Sequence, residues 1–162
     1  MNTNSRKQDA RSQVKTEGSG ISNPQGGNEI SLVQATAGLH ILAPFINKGQ
    51  MQTLWDLCRK GEEKPYFKQK VTDLAQLIKE MPKTYDQDGL GMEAIAYLHY
   101  FTSGFDWYIT EKDMAGAGVD QAFGLAIASE RELGYISIAQ LVAAGAALDL
   151  YWTPKTLAEI GR

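Results

Sequence analysis

Between residues 65 and 82 the apolar positions Phe67, Val71, Leu74 and Ile78 recur at intervals of four, three and four. That is the period of a helix burying one face, and it predicts one here. Pro65 suits its first turn, Pro82 closes it, and Lys68, Lys70 and Lys79 lie off the stripe. A shorter helix is predicted over 51–60, with Leu54, Leu57 and Cys58 on one side and Gly61 as its stop. Upstream, residues 30–47 are rich in Ile, Leu and Phe but interrupted by Gly38 and Pro44. They read as a helical turn and an extended stretch docked on the body. Residues 1–29 contain no Leu, Phe, Trp or Tyr and read as a disordered tail.

Beyond Pro82 the period falls to two. Residues 94–101 are apolar or aromatic on both faces, which predicts a central strand. Phe105, Trp107 and Ile109 alternate with Asp106, Tyr108 and Thr110, the pattern of a half-buried strand whose apolar face meets the helices and whose other face is polar. Thr102-Ser103-Gly104 joins the two as a hairpin. A loop over 113–120 follows. In the next strand Phe123, Leu125 and Ile127 share one face and Ala122, Gly124 and Ala126 the other, small enough for a close backbone approach. Residues 133–137 form a fourth strand. Ser137 caps a helix that ends at Gly145, residues 148–152 add a fifth strand, and Thr153-Pro154 opens a final short helix. The class is therefore α+β, an antiparallel meander sheet of four to five strands with helices packed on one face. Residues 30–81 and 82–162 together make one globular domain behind the 1–29 tail.

Charge divides the chain further. The 162 residues carry a net charge of −3. Residues 1–29 contribute +1, residues 30–81 contribute +2, and residues 82–162 contribute −6. An acidic C-terminal half repels phosphate backbones, so any nucleic-acid contact belongs to the first 81 residues. One cysteine, Cys58, excludes an internal disulfide. With no long apolar run and no apolar leader, the expectation is a cytoplasmic protein without membrane contact.

Candidate chemistry is sparse. His40 and His99 have no partner ligands at helical or hairpin spacing and read as structural. No nucleophile elbow, phosphate loop or dinucleotide fingerprint occurs. The distinctive constellation is acidic: Glu111, Asp113 and Asp120 border one loop, while Glu130 and Glu132 lie at the other end of the third strand. The aromatic residues of the sheet read as core, with outward Tyr and Trp available to anchor a protein partner.

In order along 81–159 stand Pro82…Tyr85, Tyr100-Phe101-Thr102, Trp107-Tyr108-Ile109-Thr110-Glu111, Phe123-Gly124-Leu125, Glu132-Leu133-Gly134-Tyr135-Ile136-Ser137 and Asp149-Leu150-Tyr151…Pro154…Leu157. This series, covering half the chain, resembles a bacterial family of unknown function carried on plasmids, integrative elements and phages, often among antirestriction and transfer genes. The family commonly has Glu where this chain has Gln140. The resemblance implies a mobile-element setting and brings no reaction or cofactor.

The reading that follows is a non-enzymatic accessory protein, in transfer or counter-defence, that binds a protein with a basic surface. Its acidic patch is Glu111, Asp113, Asp120, Glu130 and Glu132, and neither cofactor nor metal is expected. A rival is nucleic-acid binding through Arg59, Lys60, Lys64, Lys68 and Lys70 together with the basic residues of the tail. A third reading is a metal-assisted hydrolase at Glu111, Asp113 and Asp120.

Overall fold

The computed structural model describes residues 28–160. Of the expected tail only Asn28 and Glu29 fall among them; the rest lies outside the described residues. Among the described residues three helices come first: α1 (Leu32–Leu42), α2 (Lys48–Arg59) and α3 (Lys64–Glu80). Strands β1 (Ile95–Ala96), β2 (Leu98–Thr102), β3 (Phe105–Glu111), β4 (Ala122–Ile127) and β5 (Arg131–Ile136) follow. Helix α4 (Ile138–Ala143) and the short strands β6 (Ala147–Leu148) and β7 (Lys155–Thr156) come after them. Five strands pair antiparallel in the order β5-β4-β3-β2-β6, and β1 pairs separately with β7. The α+β meander is thus as expected. Among the described residues no helix is long and apolar enough to cross a membrane.

Helix α1 is a full helix, not the single turn expected. Ser31 caps it reciprocally with Gln34, a capping box at the edge of an apolar run. Gly38, read as an interruption, is what lets α1 lie against α3: a Cβ there would meet the Val71 Cγ1 at 3.0 Å. The α3 stripe is buried as its period requires, at Phe67, Val71, Leu74 and Ile78. The four helices of the described residues pack on one sheet face, around Leu98, Tyr100, Ile109, Ala122, Ile136 and Leu148. Trp107 lies on this face too, half-buried against the core. At its centre the Tyr100 hydroxyl donates to the Phe45 carbonyl at 2.6 Å, fully buried.

Several expected boundaries shift. The strand of 94–101 divides at Tyr97, so that β1 leaves the main sheet for β7. The fifth strand is Ala147–Leu148 rather than 148–152, because the chain turns at Asp149, whose carbonyl accepts from the Trp152 amide and whose carboxylate accepts from the Tyr151 amide. On the outer edge the Gln50 side chain bonds both the amide and the carbonyl of Leu148 at 2.8 Å. Residues 153–154 open no helix; the last turn is a 3-10 turn at Leu157–Glu159, capped by Thr156 and Glu159. Nor is the second sheet face polar. Ala94, Ala96, Leu125, Leu157 and Ile160 form a small second core there, with Tyr108, Ile127 and Trp152 at its margin. His99 is structural: its ring bonds Asp106 at 2.7 Å and Asp149 at 3.1 Å and stacks on Tyr108.

Burial holds the Tyr100 phenol protonated far above its ordinary value of 10.0. Tyr100→Phe is expected to cost about 1–3 kcal/mol in urea unfolding at neutral pH, because the Phe45 carbonyl loses its buried donor. The raised phenol stabilises the fold fully below about pH 10 and less above it, where the unfolded chain ionises and the folded one does not. The stability gap between wild type and Tyr100→Phe should therefore narrow between about pH 9 and about pH 11.

Candidate binding site

In strict alternation Phe105, Trp107, Ile109 and Glu111 would all face the helices, which puts a carboxylate in the apolar core. The chain avoids this with one extra residue. Ile109 pairs with Gly124 but Glu111 with Phe123, so Thr110 is a bulge and Glu111 turns to the opposite face. The Thr110 hydroxyl, itself buried, donates to the Phe123 carbonyl at 3.1 Å. The close approach depends on Gly124, where a Cβ would lie 2.0 Å from the Tyr108 carbonyl oxygen.

On that face a cleft of about 440 Å³ opens between the sheet and the segment 84–91. Glu111, Thr110 and Phe123 line its floor, with Leu133 and Tyr135 of β5, Tyr85, Asp88 and Leu157 around it. Glu111 is 4% exposed, and its Oε1 accepts from the Gln87 amide at 2.8 Å. Gln87 also stands in for a strand residue. Its side-chain amide donates to the carbonyls of Ile95 and Thr110 and accepts from the Ile95 amide, closing the gap between β1 and β3.

The segment above the floor is held in a turn. The Asp86 amide bonds the Lys83 carbonyl, and the Asp86 carboxylate returns to the Lys83 amide, each at 2.9 Å. Tyr85 is the third residue of that turn, at φ 81°, a left-handed position that a bulky residue rarely takes. Its hydroxyl meets the Tyr135 hydroxyl at 2.9 Å, joining the two walls. That bond above all, with the nearby Glu111 and Asp88 carboxylates adding to it, raises the Tyr135 phenol above its ordinary value. Below the turn, Lys112 donates to the Ile78 and Lys79 carbonyls at the end of α3, and burial, then Lys83, lowers its ammonium.

The acidic residues singled out from the sequence are not brought together. Glu111 is buried in the cleft. Asp113 is occupied by the amides of Ala115 and Gln121, which staple its own loop. Asp120, Glu130 and Glu132 are exposed, the last two at the β4–β5 hairpin. Among the described residues no three His, Cys, Asp or Glu side chains are placed to hold a metal ion. The basic residues are partly engaged: Arg59 lies over Trp55, Lys60 pairs with Asp56 at 3.6 Å, and Lys70 lies over Tyr151. Lys64 is exposed, while Lys68 is half-buried beside Cys58, whose thiol burial raises and Lys68 lowers. Gln87 and Asp88 escaped the sequence reading, and Tyr85 entered it only through the resemblance; the available signal was Glu111 itself, a charge falling on the apolar face of a strand. No family model, curated protein or solved structure matches this chain.

Two substitutions test the construction of the cleft. Gly124→Ala is expected to lower the urea midpoint by an equivalent of about 1–3 kcal/mol, since main chain must move. Gly134→Ala on the next strand, whose Cβ would meet nothing within 4 Å, should change stability by less than about 0.5 kcal/mol. Gln87→Leu should cost about 1–3 kcal/mol for each main-chain group it strands, and speed amide exchange at Ile95.

Proposed function

We propose that the protein acts without chemistry of its own, as an accessory that binds a partner protein through the cleft face. One observation carries this reading: exposed apolar side chains gather there. Tyr85, Leu133 and Tyr135 line the cleft with exposed side chains, and Leu90 and Met92 are exposed in and just after the segment 84–91. Aromatic and large apolar groups around a depression are the anchors of protein interfaces. The outer edge of β5 adds to it, since among the described residues no further strand pairs with β5 beyond β4. The other sheet edge is closed at Leu148 by Gln50. An open edge beside side-chain anchors suits an extended partner segment.

The partner's charge follows from what surrounds this face. Asp86 and Asp88 are exposed about it, Glu130 is exposed in the β4–β5 hairpin, and residues 82–162 carry −6. A partner with a basic surface complements them. The resemblance of residues 81–159 supports a setting on a bacterial mobile element, where transfer and counter-defence both use such accessories, and the compartment that goes with it is the cytoplasm. Nucleic-acid binding is the weaker reading, because Arg59, Lys60 and Lys70 are engaged within the protein.

The test is affinity capture from a host carrying the parent element, with wild type beside Leu133→Lys and a Lys64/Lys68/Lys70→Ala triple. A salt-sensitive partner with a basic surface should be captured by wild type and the triple, and lost about tenfold with Leu133→Lys. Sub-micromolar DNA binding at physiological salt that the triple abolishes would overturn this reading.

A further inference from the structure

Resting on that reading, we propose that the cleft is a socket for the guanidinium of an arginine side chain carried by the partner. Glu111 is buried, yet only its Oε1 has a hydrogen-bond partner among the described residues. No sealed side-chain oxygen there lacks a partner, so Oε2 opens on the cavity that Glu111 lines. No cation lies within ion-pair distance of it among the described residues.

A carboxylate in this position has lost much of its water without gaining a counter-charge, and an arriving cation supplies one. Because the Gln87 amide and the bulge already hold the carboxylate in place, little ordering remains for the ligand to impose. The walls select among cations. Tyr85, Phe123 and Tyr135 line the cleft with aromatic rings, Ala94, Leu133 and Leu157 with apolar groups for a methylene stem, and Asp88 with a second carboxylate. A planar, weakly hydrated guanidinium stacks on rings and forks onto a carboxylate, whereas an ammonium holds its water more strongly. The cavity, about 440 Å³, is large enough for one such side chain. Its opening amid exposed Leu133 and Tyr135 favours a side chain on a partner that covers them over a free amine.

The experiment titrates N-acetyl-arginine amide into the full chain and follows backbone amide shifts, with N-acetyl-lysine amide and the neutral N-acetyl-citrulline amide as comparisons. Saturable shifts at Gln87, Glu111 and Tyr135 are expected with the arginine derivative, and binding about tenfold weaker for the other two. Glu111→Gln should abolish the response while the melting temperature stays near wild type. Should that variant unfold, Tyr135→Ala, at an exposed position, should weaken binding several-fold. Equal binding of arginine and citrulline, shifts confined to other residues, or an unaltered response in these variants overturns the socket. Partner capture that depends on Leu133 without any arginine response sinks the socket alone. An arginine response with capture indifferent to Leu133 sinks the wider reading instead.

Discussion

Strand β3 carries one more residue than β4 needs, and the cleft depends on how that excess is absorbed. Thr110 is taken up as a bulge, its hydroxyl tied to the Phe123 carbonyl, and the two backbones close in over Gly124. Without the bulge the Glu111 carboxylate would enter a core of Leu, Ile and Phe side chains. Desolvating an unpaired carboxylate there costs several kcal/mol, so the bulged register is strongly preferred. The same residue then gives the Gln87 amide an acceptor and draws the segment 84–91 over the sheet.

Two glutamine side chains do the work of missing strand residues. Gln87 bonds Ile95 at both its amide and carbonyl and Thr110 at its carbonyl, joining β1 to β3. Gln50 treats Leu148 in the same way and ends the sheet at β6. A primary amide presents a donor and an acceptor as a peptide group does, so it can satisfy an edge without adding a strand. Nothing similar covers β5 among the described residues, and the exposed side chains of Leu133 and Tyr135 stand beside its open edge. The second sheet face is closed partly by the small core around Leu125 and Leu157 and partly by the His99 bridge to Asp106 and Asp149.

Local pattern was enough for the elements with strong periods. The α3 stripe and the Ser137 cap rest on contacts within a few residues, and the β3–β4–β5 meander on pairing between consecutive strands, and the sequence shows them. Short pieces were less legible. α1 was hidden by Gly38, whose role is set by Val71 on another helix. The outer edge of β6 is closed at Leu148 by Gln50, 98 positions away. Of the site, Glu111 was legible as a residue of interest, but its grouping with Asp113 and Asp120 was not: those three share a loop in sequence and no common direction in space.

By itself, then, the sequence determined the α+β class, the helices of strong period, the hairpin order of the sheet and the acidity of its C-terminal half. These follow from backbone periodicity and composition, which are local. Tertiary structure decided which face Glu111 takes, what covers each side of the sheet, and which edge stays open. Each of those depends on a pairing register or on an amide finding a partner far along the chain. Such contacts are selected by the free energy of the whole packed arrangement, which no window of neighbouring residues contains.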